Sequence, residues 1–265
     1  MPEGHTLHRL ARDLAELVGP PVGATSPQGR FPAEKVDGQR LAGVDAYGKH
    51  LIADVATGDS VHVHLGMRGK WLRFAPVTGP GLPQVRLRLA VPEVAWDLIA
   101  PSTCELLDAV GRARLVGGLG PDPLRPDGDP EEAFRRVTAH PGSIAAALLD
   151  QGRIAGVGNV FRAEALFVHG IHPETPIPQV SREQFDALWA TLTRMLQVGV
   201  KEGRIMTVDE REFGLTRRHL NRENGRYVYR QEACLRCGTP VRRWDMAGRW
   251  SYACETCQPR EISEH

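Results

Sequence analysis

The sequence predicts an α+β protein: an N-terminal β-sandwich with a leading helix, then a helical domain, then a short C-terminal β-hairpin bearing four cysteines. Three observations carry this reading. Residues 1–120 hold short runs of alternating hydrophobicity, punctuated by glycine and proline. Residues 131–216 hold longer runs with apolar residues at helical spacing. Residues 217–265 hold four of the five cysteines, in two C-x2-C pairs.

The leading helix is TLHRLARDLAELV, in which Leu7, Leu10, Leu14 and Leu17 recur every three or four residues. Gly19, Pro20 and Pro21 stop it. The runs HLIADVA, VHVHLGM, KWLRFA, VRLRLAV and VAWDLIA then read as antiparallel strands of a sandwich or barrel. The segment GLGPDPLRPDGDP has four prolines and three glycines in thirteen residues, so 121–130 reads as a linker. At its end Asp129 caps a helix, Pro130 takes the first position, and Glu131 and Glu132 lie near the positive dipole end. Further helices are expected in EEAFRRVTAH, SIAAALLDQ, VFRAEALFVHG and SREQFDALWATLTRMLQVGVKEG, the last opened by a Ser181–Gln184 capping box.

With 42% hydrophobic and 25% charged residues, the 265-residue chain has the composition of a soluble globular protein. No run approaches eighteen apolar residues, and no signal-peptide pattern opens the chain, so a cytoplasmic protein without a membrane span is expected. The net charge of +1 is unevenly spread. From Arg217 to Arg260 there are ten arginines, no lysine and four acids, a local +6, which leaves about −5 for the rest. That basic module is either a polyanion footprint or a solvated surface.

The tail CLRCGTPVRRWDMAGRWSYACETC places sixteen residues between its two C-x2-C knuckles. This spacing predicts a structural Zn2+ held by Cys234, Cys237, Cys254 and Cys257, with a β-hairpin between the knuckles. Four thiolates leave no open position for a water, so the metal has no catalytic part. Arg249, at the hairpin tip, suits bidentate phosphate binding or is one solvated arginine among ten. Cys104 stands apart and is given no role. In LLDQGRIAGVGNVFRAEALF, the turn Gly156-Val157-Gly158-Asn159 opens a helix whose first N–H groups would face an anion, with Asn159 adding a side-chain donor. The bare pattern is a helix–two-turn–helix phosphate clamp or a glycine-rich αα-hairpin. At the N-terminus, Met1 is normally trimmed before a small residue. The secondary amine of Pro2 would then lie beside Glu3, as a nucleophile with its acid or as a chance dipeptide.

Taken together, the motifs MPEG, YGKH (47–50), HLGM (64–67), GPDPL (120–124), LLDQGRIAGVGNVFRAEALFVHGIHP (148–173) and VYRQEACLRCGTP resemble the formamidopyrimidine-DNA glycosylase / endonuclease VIII family of base-excision repair. The likeness covers nearly the whole chain, and MPEGHT with VHVHLGM resembles actinobacterial endonuclease VIII-type members. It implies a bacterial, nucleoid-associated monomer acting on damaged DNA, double- or single-stranded. It also implies a DNA-binding cleft between a sandwich and a helical domain. Pro2 would be the Schiff-base nucleophile, Glu3 the general acid/base, and Lys49 the lysine contacting the phosphate beside the lesion. Asn159 and Arg249 would clamp phosphates, Arg249 also serving δ-elimination. Oxidised pyrimidines are the expected substrates, with 8-oxopurines and formamidopyrimidines, or a weakly catalytic damage-binding clamp, as alternatives.

Three departures stand out. The second acid that many members carry near position 6 is missing, since the stretch reads His5-Thr6. The Gln-Leu-Tyr wedge of endonuclease VIII enzymes is replaced by Gly66-Met67-Arg68, so Met67 would fill the gap left by the flipped base and Arg68 would probe the opposite strand. A weak wedge makes good activity on single-stranded DNA an expectation. Third, the lesion-pocket loops do not align safely with those of the family.

Overall fold

The structure, a computed structural model, describes residues 2–77, 79–221, 223–246 and 248–260. It divides into two compact units, meeting between Gly118 and Leu119.

The first unit opens with α1 (Gly4–Leu14), extended by a 3-10 turn at Ala15–Leu17. There follow β1 (Gly23–Thr25), β2 (Leu41–Tyr47), β3 (His50–Val55), β4 (Ser60–His64), β5 (Lys70–Phe74), β6 (Val85–Val91), β7 (Val94–Ile99), β8 (Thr103–Leu107) and α2 (Ala109–Gly117). The strands form two four-stranded antiparallel sheets, ordered β1-β6-β7-β5 and β2-β3-β4-β8. One apolar core joins them and takes Leu7, Leu14 and Leu17 from the leading helix, as its periodicity predicts. Alternation then decides the faces: Leu51, Ala53, Val61 and Val63 enter that core, so His50, Ile52, His62 and His64 point the other way.

The second unit contains α3 (Pro130–Thr138), α4 (Ile144–Leu149), α5 (Asn159–Val168), α6 (Arg182–Glu202) and the hairpin β9 (Arg242–Met246)–β10 (Arg249–Ala253). Capping chemistry sets the helix starts. Asp129 accepts from Glu131 N at 2.8 Å, and Ser181 with Gln184 forms the reciprocal capping box. The proline-rich segment 121–130 is packed within this unit: Gly120 N donates to Gln151 O at 2.8 Å, and Ala155 N to Pro121 O at 3.0 Å. A Cβ at Gly120 would stand 2.4 Å from the Arg153 carbonyl, so only glycine permits that approach. Among the described residues no helix is long and apolar enough to cross a membrane.

α5 is buried around its whole circumference, charged residues included. Glu164, fully buried, accepts from the backbone N–H groups of Tyr227, Val228 and Tyr229 at 2.7–2.9 Å and from Thr207 Oγ1 at 2.5 Å. One carboxylate thereby ties the 205–230 segment to α5. Glu164→Gln would turn an amide N–H toward these donors. It is expected to destabilise the second unit by about 3 kcal/mol, read as a lowered melting transition.

Candidate functional site

Pro2 is half-buried and Glu3 is 1% exposed, just ahead of α1. Glu3 is the extended N-cap (φ −128°, ψ −174°), and its carbonyl accepts from Thr6 N at 2.9 Å, which turns the chain into the helix. The position is electrostatically favourable for a carboxylate, beside the positive end of α1. His5 is also buried, with Nε2 3.2 Å from Thr6 Oγ1. Burial drives its pKa down to about 4, so it is neutral at physiological pH and does not replace the missing acid. Met1 lies outside the described residues.

Lys49 occupies the second position of a two-residue β2–β3 turn closed by the Tyr47–His50 pair. Gly48 supplies the positive φ of 59° that the first position of such a turn requires. Met67 and Arg68 share the tight β4–β5 turn. There Gly69 N donates to Leu65 O at 3.0 Å, and a Cβ at Gly69 would stand 2.3 Å from that oxygen. The turn pushes both side chains outward, Met67 to 70% exposure, far above the usual value for a large apolar residue.

In the second unit α4, the turn 150–158 and α5 form a helix–turn–helix braced by Gln151. Its side chain donates to Leu149 O and Val157 O and accepts from Gly156 N at 3.1 Å. Gly156 has φ +88°. Asn159, the first residue of α5, donates through Nδ2 to Trp250 O at 2.9 Å. Arg162 also reaches Trp250 O, at 3.0 Å, and contacts Asn159 Oδ1 and Ala145 O, although it is 1% exposed. The start of α5 is thereby fixed to β10, one residue from the exposed Arg249. Arg162 is a site residue that the sequence reading missed. Its signal is a lone cation in the apolar run VFRAEALF, three residues after Asn159. Trp250 is half-exposed, with the Arg243 guanidinium 5.1 Å from its ring centroid.

The four sulfurs of Cys234, Cys237, Cys254 and Cys257 lie within 4.8 Å of one another and could hold a metal ion. Cys237 and Cys254 are 3.4 Å apart, Cys234 and Cys257 4.0 Å. These spacings bracket the roughly 3.8 Å edge of a thiolate tetrahedron built on 2.3 Å metal–sulfur bonds. Burial holds the Cys234 thiol above the usual thiol range, whereas hydrogen bonding with Thr239 holds Cys237 below it. A cation at the centre of the four sulfurs would favour the thiolate form of each. Cys104 sits elsewhere, in β8 against the sandwich core.

Pro2, Glu3, Lys49, Met67 and Arg68 thus belong to the first unit, and Asn159, Arg162, Arg249 and the cysteines to the second. The family profile of the formamidopyrimidine-DNA glycosylase N-terminal domain matches residues 1–98, and that of the formamidopyrimidine-DNA glycosylase H2TH domain matches residues 119–210. The chain belongs to the formamidopyrimidine-DNA glycosylase/endonuclease 8 family, the DNA glycosylases with AP lyase activity of base-excision repair. Endonuclease 8 1 of Mycobacterium tuberculosis is 42% identical over 97% of this chain and 100% of its own length. Probable endonuclease 8 2 of Streptomyces coelicolor is 33% identical over 97% and 94%. The Lactococcus lactis Fpg protein, solved with DNA containing N7-benzyl-Fapy-dG, has the same fold, with a TM-score of 0.78 at 24% identity over 98% of this chain and 100% of that one.

Proposed function

We propose that the chain excises oxidised bases from DNA, pyrimidines first, through a Schiff base on Pro2, and then cuts the strand by β,δ-elimination. The observation that carries this is the coupling of two elements whose donors suit phosphate. The glycine turn ending at Asn159 and the hairpin bearing Arg249 are locked together through the Trp250 carbonyl. Such contacts hold a backbone in register without reading its sequence. The choice of pyrimidines rests on the resemblance of MPEGHT and VHVHLGM to endonuclease VIII-type members, with which the 42% identity to an endonuclease 8 along the whole chain accords.

Loss of Met1 exposes the Pro2 amine, which attacks C1′ of a flipped-out nucleotide as the base leaves. Glu3 gives a proton to the ring oxygen as the sugar opens. A secondary amine yields only a cationic iminium. That electron sink acidifies the 2′ hydrogen; its removal expels the 3′ phosphate, and a second elimination expels the 5′ phosphate, leaving a one-nucleotide gap. Lys49 holds the phosphate beside the lesion, and Arg249 and Asn159 hold those flanking it. The four cysteines hold a structural Zn2+, which fixes the hairpin and takes no part in bond making. The protein works as a monomer among bacterial nucleoid DNA.

Exposed Met67 and Arg68 replace a bulkier wedge, so opening a duplex gains little from them. A panel of thymine glycol, dihydrouracil and 8-oxoguanine, each in duplex and single-stranded DNA, tests the reading. Pyrimidine lesions should be cut at least about tenfold faster than 8-oxoguanine, a 1.4 kcal/mol preference. Single strands should be cut within about threefold of duplexes, a difference near 0.7 kcal/mol. Faster cutting of 8-oxoguanine reverses the substrate assignment; a large duplex preference removes the weak-wedge argument.

A further inference from the structure

The backbone of Lys49 is set by the pair that closes its turn, Tyr47 and His50. Both closing side chains lie on the sheet face opposite the core, and each is tied into a polar chain along that face. His50 Nδ1 is 2.9 Å from His62 Nε2, and His62 Nδ1 is 2.8 Å from Glu105 Oε1. The registers His50↔His64 and His62↔Glu105 bring these groups into line from β3, β4 and β8. On the Tyr47 side, Arg112 of α2 lies 5.8 Å from the ring centroid and clasps Asp54 with bonds of 2.9 and 3.0 Å.

A carboxylate only accepts, so His62 carries a hydrogen on Nδ1. The bond between His62 Nε2 and His50 Nδ1 then joins the two rings, and the two bonds together fix both ring planes. His50 is uncharged: burial, with His62, His64 and Lys49 close by, takes its pKa down to about 3. The ring next to Lys49 is therefore held rigidly without placing a second cation beside the ammonium. Apolar residues could close the turn, but they would not fix its rotation in this directional way.

We infer that Glu105, His62 and His50 form a positioning chain that sets where the Lys49 ammonium stands against the phosphate. The inference rests on the reading of Lys49 as a phosphate contact. A double-mutant cycle on the full-length, metal-loaded protein tests both. The readouts are the elimination rate on duplex DNA with one abasic site, the dissociation constant for the tetrahydrofuran analogue, and the melting temperature.

Glu105 is half-exposed, so Glu105→Ala should fold. It is expected to slow elimination about tenfold through misplacement of Lys49, with the melting temperature held. Glu105→Gln keeps an acceptor for His62 Nδ1–H and should restore the rate, while His62→Gln should reproduce the loss. In a Lys49→Ala background, Glu105→Ala should have no further effect. Additive losses in that background, or slowing that only tracks unfolding, overturn the positioning chain and leave Lys49 as assigned. If Lys49→Ala alone changes neither rate nor affinity, the reading of Lys49 falls and the chain falls with it.

Discussion

A protein carrying Pro2→Glu should form no borohydride-trapped adduct with abasic DNA, and Pro2→Gly should form it at least about tenfold more slowly. The two variants fail for different reasons. A bulky second residue retains Met1, and the nitrogen at position 2 stays an amide without a nucleophilic lone pair. Glycine still lets Met1 go, but its primary amine gives an imine that can shed its proton and lose its electron-withdrawing charge. Neither change should disturb the fold, because position 2 precedes α1 and is not fully buried. The pH profile offers a second check. An α-amine titrates near pH 7.7–8.0, so about one chain in four is neutral at pH 7.4 without any special burial. Since only the neutral amine attacks, the trapping rate should rise about tenfold from pH 6 to 7 and level off above 8. Full strand cutting by a protein whose intact mass includes Met1 would remove Pro2 from the chemistry.

Much of the scaffold was legible before any coordinates. The strands HLIADVA, KWLRFA, VRLRLAV and VAWDLIA sit in β3, β5, β6 and β7, because each alternates with one face in the core. The capping residues Asp129 and Ser181 mark α3 and α6, because their side chains satisfy N–H groups that no other partner reaches. β2, β8 and α2 were not singled out. LAGVDAY is broken by a glycine and a bulge between Leu41 and Gly43, β8 contributes only partly buried positions, and AVGRARLVG buries no residue. The four cysteines were readable because metal spacing is local in sequence. The supporting residues were not. Arg162 meets Trp250 across 88 positions, and His62 meets Glu105 across 43, so neither pairing leaves a local pattern. The basic tail is instructive in the same way. Arg236 is paired with Glu212 and Arg242 with Glu255, so only part of its +6 is open to a polyanion.

Cys237→Ala is expected to lose the metal and, with it, about a hundredfold or more in affinity for abasic-site DNA, roughly 2.7 kcal/mol. Its sulfur is the exposed one of the four, so the loss comes from coordination and not from packing. The consequence spreads because the cysteine hairpin is built into the helical unit. Cys234, Cys254 and Tyr252 share a core with Val160, Ala163 and Phe167 of α5. Trp244 stacks on His172, and Gln258 donates to Ile171 O at 2.8 Å. Zinc binding is worth about 10–16 kcal/mol in small four-ligand modules, so its loss would be a large one. Once β9–β10 loosens, the Trp250 carbonyl leaves Asn159 and Arg162, and the two elements proposed to hold phosphates lose register together. A chelator should reproduce the variant in the wild-type protein, and added Zn2+ should reverse the chelator and not the variant. Cys104→Ala is the control, because that thiol lies in β8 of the other unit and should leave metal content unchanged. A Cys237→Ala protein with one zinc per chain and undiminished DNA affinity would show that the hairpin stands on packing, and that Arg249 owes its place to something other than the metal.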